Sequence, residues 1–242
     1  MLTERLRSTA RLVRYVTEIS GNRSGAATRP RLLTHTVTFR CNARCVMCDS
    51  WRLERQDELD LAEIDAIYSQ LPRLDALRLT GGEPFVRKDL AEIAHLGAER
   101  VRPALVHVTT NVFLTELLLE FARGWDRRES LHMLVSLDGP EKMHDTIRGV
   151  PRSYERAIET LRQLAQLSQT GQLRLAVNQT VLDGAGAAEY PALRDELQAL
   201  GIPLHVVVAY RESATYSLER DRDVATDLDG QFETFRDFTP AE

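Results

Sequence analysis

The residues best suited to chemistry in this 242-residue chain are its three cysteines, which all fall in the stretch CNARCVMC. Cys41, Cys45 and Cys48 are spaced Cys-x3-Cys-x2-Cys, and thiolates this close in one loop can bind zinc or an iron–sulfur cluster. A structural zinc site normally has four protein ligands, and here the fourth would be Asp49, His35 or a distant histidine. Three thiolates instead suit a [4Fe–4S] cluster whose fourth iron is left free for an outside ligand.

A second group of residues follows the second predicted strand, in the stretch TGGEP from Thr80 to Pro84. The adjacent glycines Gly81 and Gly82 let the backbone turn sharply and approach a ligand with no side chain in the way. Glu83 adds an acceptor for an ammonium group. Taken alone, the same stretch is more typical of a simple turn from a strand to a helix than of a binding site.

The fourth predicted strand leads into a third polar stretch, SLDGPEKMHDTIRG. Ser136 and Asp138 are two residues apart, so an extended strand would place both side chains on one face. Arg148 follows in a predicted loop, and arginine is suited to hold a carboxylate through paired hydrogen bonds. The alternative is a solvated charged loop. Asn111 ends the third predicted strand, and Asn178 lies on the fifth. Each of them could bind a ligand or cap a strand end.

Together these stretches resemble the motifs of the radical S-adenosylmethionine (radical SAM) superfamily, and most closely its peptide- and natural-product-modifying branch. The resemblance implies that a reduced [4Fe–4S] cluster splits S-adenosylmethionine and that the resulting 5′-deoxyadenosyl radical abstracts hydrogen from a peptide or small-molecule substrate. It also implies an electron donor such as flavodoxin or ferredoxin. Larger members of that branch bind auxiliary clusters through later cysteines, whereas no cysteine follows Cys48 here.

The resemblance also implies a role for each matching residue. Cys41, Cys45 and Cys48 would hold the cluster. The amino group of S-adenosylmethionine would be oriented by Gly81, Gly82 and Glu83. Its carboxylate would be held by Ser136 and Arg148. The residues expected to line the same pocket or to reach the substrate are Asn111, Asp138, Asn178 and Tyr210.

The elements that must position these residues alternate between strand-like and helix-like segments. Six apolar, β-branched segments read as strands: LLTHTVTF, ALRLTG, LVHVTTN, LHMLVSLDG, LRLAVNQTVL and PLHVVVAY. Between them, Asp60 with Glu63 predicts a capping box, and Ser153 is the predicted N-cap of a later helix. Alternation of this kind predicts parallel strands. The fold is predicted to be α/β, a partial (β/α)6 TIM-like barrel, with a six-stranded open sheet as the alternative.

The segments on either side of the predicted barrel differ in composition from it. Residues 1–30 read as an amphipathic helix and a linker, residues 31–211 as the barrel, and residues 212–242 as a short polar tail with some helical character. Within the strands, His107, His132 and His205 are expected to be hydrogen-bonded core residues rather than ligands.

The amino-acid composition of the chain makes some classes of function less expected than others. The net charge is −5 and 43% of residues are hydrophobic, so neither nucleic acid nor an anionic membrane is an expected partner. No segment reads as a membrane span or secretory signal. A clustered, odd set of cysteines favours the reducing cytoplasm over a secreted disulfide framework. Two alternatives to a radical enzyme stay open: a zinc-stabilised binding module and a non-catalytic accessory barrel that binds S-adenosylmethionine.

Overall fold

The six predicted strands form one all-parallel sheet in which each strand pairs with the next along the chain. The computed structural model describes residues 16–17, 29–53, 57–127 and 131–209. Strand ends differ from the sequence prediction by at most a few residues. The strands are β1 (Leu32–Thr38), β2 (Ala76–Gly81), β3 (Leu105–Thr110), β4 (Leu131–Ser136), β5 (Arg174–Val181) and β6 (Leu204–Val208).

Helices connect successive strands. The first begins with the predicted capping box, in which Asp60 accepts from the Glu63 backbone and Glu63 accepts from that of Asp60. Two short 3₁₀ turns, Ser50–Arg52 and Pro84–Val86, lie just after the cysteines and the glycine pair. The helices are α1 (Leu61–Ser69), α2 (Leu90–Arg100), α3 (Thr115–Gly124), α4 (Glu141–Arg148), α5 (Ser153–Gln169), α6 (Gly184–Ala188) and α7 (Tyr190–Ala199).

The strand order identifies a partial barrel rather than a doubly wound sheet. A doubly wound sheet reverses its order at a switch point, whereas here the order runs β1 to β6 without a break. One hydrophobic core joins the helices to one face of the sheet, with alternate strand residues such as Leu79, Val108 and Met133 packed against Ile93 and Leu161. The prediction of a partial (β/α)6 barrel is confirmed.

Two local predictions were wrong. The stretch that leads to Arg148 is the helix α4 rather than a loop, and Arg148 is buried in its last turn. Ser153 is the first residue of α5 and not its N-cap. The capping acceptor is instead Asp145 from the preceding helix, whose carboxylate accepts from the backbone N–H of Arg152 at 2.6 Å and of Tyr154 at 2.9 Å. An acceptor from another helix leaves no signal at the start of α5 itself.

The chain consists of two compact units, Met1–Arg31 and Leu32–Glu242. The predicted N-terminal helix lies outside the described residues except for Val16 and Thr17, and so does the polar tail, which begins beyond Tyr210. Of the described helices, none is long and apolar enough to cross a membrane.

The glycine pair at the end of β2 packs directly against the backbone that leads into the cysteines. Gly82 N donates to Thr38 O at 2.8 Å, and Glu83 N donates to Arg40 O at 2.9 Å. A Cβ atom at Gly82 would lie 2.3 Å from Arg40 O, which is a fixed backbone atom. The glycines are therefore required by the approach of two backbone segments, in addition to any approach of a ligand.

Substitution of Gly82 by alanine should destabilise the fold by about 1–3 kcal/mol, because the added methyl group overpacks against backbone that cannot move aside. Gly124→Ala is the matched control, since a Cβ there meets nothing within 4 Å. Urea unfolding of both variants measures the effect. Equal unfolding free energies for the two variants would show that the close approach carries no cost.

Two neighbouring histidines lie on the concave face of the sheet, opposite the face that packs against the described helices. His107 Nδ1 is 3.2 Å from His132 Nδ1, and His107 Nε2 is 3.2 Å from Thr109 Oγ1. His107 is buried as predicted, whereas His205 is exposed, so the prediction of a core role was wrong for His205. Burial, reinforced by nearby cationic groups, lowers the pKa of His107 to about 3 and that of His132 to about 4.

These shifts should make the fold less stable in acid. The unfolded chain binds a proton at each histidine near pH 6.5 while the folded chain does not, so stability falls from about pH 6.5 down to the folded pKa values. His132→Gln should flatten that fall by at most about 1.4 kcal/mol per pH unit. Urea unfolding at pH 7, 6, 5 and 4.5 measures how the unfolding free energy of each protein depends on pH. The same pH dependence in the variant and the wild type would contradict the lowered pKa of His132.

Candidate active site

The predicted site residues meet in a cavity of about 280 Å³ at the carboxyl ends of the strands. This is the edge where parallel α/β folds collect their functional groups. The structure brings together all of the predicted residues except Asp138, which does not line the cavity, and Tyr210, which lies outside the described residues. The predicted residues in the wall are Cys41, Cys45, Cys48, Gly81, Gly82, Glu83, Asn111, Ser136, Arg148 and Asn178.

The cysteine loop has little regular structure of its own and is held from two sides. On one side it contacts the glycine pair after β2, as described above. On the other, Arg44 N donates to Arg148 O and Val46 N donates to Ile147 O, both at 2.9 Å. Gly149 makes this second contact possible, because it has a φ of 63° and a Cβ there would lie 2.5 Å from Arg44 O.

The three thiols line one cavity wall, and each sulfur accepts from an N–H group nearby. Ala43 N lies 3.4 Å from Cys41 Sγ, Ser50 N lies 3.5 Å from Cys48 Sγ, and Arg148 Nη1 lies 3.6 Å from Cys45 Sγ. Donors to sulfur are one of the features that set the reduction potential of iron–sulfur clusters. The loop thus presents sulfur ligands already supplied with hydrogen bonds.

Burial sets the protonation state of the Cys41 and Cys45 thiols in the free protein. Desolvation raises the pKa of Cys41 to about 12, and the neighbouring thiols and Glu83 act in the same direction. The pKa of Cys45 is also raised by burial, against the opposing effect of Arg148. Because metal ligands must be deprotonated, loading the site with metal releases protons from these side chains.

The donor set fits an iron–sulfur cluster better than a zinc ion. Within the described part of the chain, no three histidine, cysteine, aspartate or glutamate side chains are grouped tightly enough to hold one metal ion. The thiolates of a [4Fe–4S] cluster bind different iron atoms and do not need to converge on one point. The three thiols share their cavity with Gly81 and Gly82, whose backbone forms part of the wall. The residues present therefore fit a [4Fe–4S] cluster that keeps one iron free.

Glu83 is fully buried and already engaged by neighbouring donors. Its carboxylate accepts from Thr110 Oγ1 at 2.8 Å, Asn111 N at 2.7 Å and Phe85 N at 3.2 Å. Burial raises the pKa of Glu83 to about 7, although these three donors oppose the shift. Glu83 therefore ties the end of β2 to the end of β3. Its predicted role as an acceptor for an ammonium stays a prediction.

Arg148 and Asp138 form a buried ion pair beside Cys45. Arg148 Nε lies 2.6 Å from Asp138 Oδ2, and Asp138 Oδ1 accepts from Thr180 N at 2.9 Å. Burial acts to lower the pKa of Arg148, but Asp138 and Cys45 outweigh it and raise that pKa. Ser136 lines the cavity, whereas Asp138 does not line it and instead pairs with Arg148.

Several residues of the wall were not singled out from the sequence. Thr80, Thr109 and Thr180 line the same cavity, and they lie on the concave face because side chains alternate along a strand. Counting two residues on from Asn178 would have identified Thr180. By contrast, no sequence signal marks Asn42, whose Oδ1 accepts from Asn111 Nδ2 at 2.7 Å.

Solved structures of low sequence identity share this fold. SuiB of Streptococcus suis, solved with bound S-adenosylmethionine, superposes with a TM-score of 0.66 at 14% identity, over 85% of this chain and 47% of SuiB. SuiB has also been solved with its precursor peptide SuiA, with a TM-score of 0.64. At this level of identity the likeness concerns the fold alone.

Curated relatives are more similar in sequence. Fe-coproporphyrin III synthase of Methanosarcina barkeri is 30% identical over 204 residues, which cover 79% of this chain and 49% of that protein. GTP 3′,8-cyclase of Rhodopseudomonas palustris is 28% identical over 179 residues, which cover 71% of this chain and 50% of that protein. The chain spans about half the length of the curated relatives it matches.

The family model described as Radical SAM superfamily matches residues 36–191. This range includes the cysteine loop, the glycine pair, Ser136, Arg148 and Asn178. Since the match covers more than half of the sequence, the chain belongs to the Radical SAM superfamily.

Proposed function

We propose that this chain acts as a radical SAM enzyme whose [4Fe–4S] cluster is bound by Cys41, Cys45 and Cys48. The observation that supports it most directly is that the three thiols share one cavity with the glycine pair, Ser136 and Arg148. When bound, a reduced [4Fe–4S] cluster supplies the electron that splits S-adenosylmethionine into methionine and the 5′-deoxyadenosyl radical, which abstracts hydrogen from the substrate. The protein supplies binding and orientation.

The remaining wall residues are assigned to the cosubstrate by their match to the motifs of the radical SAM family. The backbone of Gly81 and Gly82, with Glu83 beside it, orients the amino group. Ser136 and Arg148 hold the carboxylate, since Arg148 is a buried cation and buried charge-assisted hydrogen bonds are among the stronger ones in proteins. Asn111 and Asn178 complete the pocket. Asp138 is a positioning residue in this scheme, because it fixes the guanidinium and does not reach the cavity.

The proposed substrate is a peptide or a small natural-product intermediate. The SuiB structure with bound SuiA supports a peptide. The names of the curated relatives, a synthase of Fe-coproporphyrin III and a cyclase of GTP, support a small molecule equally well. We further propose a flavodoxin or ferredoxin as electron donor and the cytoplasm as compartment, where thiols stay reduced.

Cluster loading and cosubstrate cleavage test this function directly. After anaerobic reconstitution, the full chain should bind about four iron atoms and, with dithionite and S-adenosylmethionine, release 5′-deoxyadenosine slowly without substrate. Cys45→Ala should abolish the release, whereas Val46→Ala, an exposed position in the same loop, should not. Chromatography of 5′-deoxyadenosine and iron analysis are the readouts. Stoichiometric zinc without cleavage, or cleavage by Cys45→Ala, would overturn the proposal and favour a binding module.

The assignment of Ser136 predicts a specific loss of cosubstrate affinity. A hydrogen bond to a charged group contributes about 1.5–3 kcal/mol, so Ser136→Ala should weaken binding of S-adenosylmethionine roughly 10- to 100-fold. Ser69→Ala, at the exposed end of α1, is the matched control. Equilibrium dialysis with the cluster-loaded protein measures both. Equal affinity in the two variants would remove Ser136 from the binding site while leaving the cluster assignment intact.

A further inference from the structure

One of the three cysteine thiols has a charged side chain as its hydrogen-bond donor. Cys41 and Cys48 accept from backbone N–H groups, whereas Cys45 accepts from the Arg148 guanidinium, with Nη1 3.6 Å from Sγ. Cys45 and Arg148 are both buried. A guanidinium stays protonated in proteins, and salt screens a buried charge less than an exposed one. A cluster bound here would therefore meet a positive charge through its Cys45 ligand.

Asp138 fixes this guanidinium and offsets its charge. Arg148 Nε lies 2.6 Å from Asp138 Oδ2, and the Asp138 side chain is fully buried. Asp138 Oδ1 accepts from Thr180 N at 2.9 Å, and Asp138 N donates to His144 Nδ1 at 3.1 Å. Contacts from β5 and from α4 thus hold Asp138 in place, and Asp138 in turn orients the guanidinium that reaches Cys45.

The two charges would act on a bound cluster in opposite directions. Reduction adds an electron to the cluster, so a nearby cation stabilises the reduced form and raises the reduction potential, whereas a nearby anion lowers it. The same opposition holds at Cys45 in the free protein, where Arg148 favours the thiolate and Asp138 disfavours it. Arg148 contacts the sulfur directly, so its effect is the larger of the two.

We propose that the ion pair of Asp138 and Arg148 sets the reduction potential of the cluster through Cys45. Arg148 raises the potential by its charge and its N–H group on the sulfur. Asp138 is the positioning residue that orients Arg148 and limits the rise. The inference rests on the proposed function, because it requires a cluster bound by Cys45. It is separate from the proposed contact of Arg148 with the cosubstrate carboxylate, because it acts before any cosubstrate binds.

Redox titration of the cluster-loaded full chain tests the inference, with the reduced cluster followed by electron paramagnetic resonance. S-adenosylmethionine is left out, so its carboxylate cannot contribute. Asp138→Asn should raise the potential, because the Arg148 charge is no longer offset while the amide oxygen can still accept from Thr180 N. The expected shift is about tenfold in the ratio of reduced to oxidised cluster at a fixed potential, or about 59 mV for a one-electron couple.

A second variant isolates the charge of Arg148. The double variant Asp138→Asn with Arg148→Gln removes both charges, so it avoids the cost of leaving one buried ion without its partner. Its potential should fall below that of the wild type, because the larger of two opposing effects is lost. Asp65→Asn is the matched control, since it breaks an exposed ion pair with Arg100 by the same substitution. Solvent and salt screen that charge, so its potential should equal that of the wild type.

Iron analysis and urea unfolding establish that each variant is loaded and folded. Equal potentials in the wild type and the double variant, or a shift in Asp65→Asn as large as that in Asp138→Asn, would overturn the inference. Where Asp138→Asn takes up no iron, the wild type and the double variant decide alone. Release of 5′-deoxyadenosine by the wild type is measured in parallel. Cleavage with unshifted potentials overturns the role of the ion pair alone, and shifted potentials without cleavage overturn the proposed function alone.

Discussion

The site depends on backbone contacts that hold the cysteine loop between two neighbouring segments. The loop follows β1 with few hydrogen bonds of its own, yet three thiols must face one cavity. Its position is set by the segment after β2 on one side and by the end of α4 on the other. Both contacts bring main chains so close that only glycine fits, at Gly82 and Gly149. The loop is thus positioned by its neighbours and by few hydrogen bonds of its own.

A second layer of buried polar contacts joins the strand ends to each other. Glu83 bonds to residues at the end of β3, and Asp138 bonds to Thr180 on β5 and pairs with Arg148. Buried charges of this kind are costly unless they are paired and hydrogen-bonded. Each carboxylate here accepts hydrogen bonds from a neighbouring strand end, so these contacts tie parts of the cavity wall to each other.

Much of this could be predicted from the sequence, because the signals are local. Strand segments, the capping box at Asp60 and the polar residues at strand ends all follow from composition and period. The features that could not be predicted from the sequence depend on contacts between distant segments. The Asp145 cap of α5, the withdrawal of Asp138 behind Arg148 and the reach of Asn42 to Asn111 are fixed by packing, which a single local pattern does not encode.

The alternation of side chains along the strands separates two kinds of evolutionary change. Residues such as Leu79, Val108 and Met133 face the helices, and substitutions there alter the stability of the barrel. Their immediate neighbours face the concave side, and three of them, Thr80, Thr109 and Ser136, line the candidate active site. Under the proposed function, a lineage can therefore exchange one substrate for another through positions on this face while the residues that face the helices stay as they are.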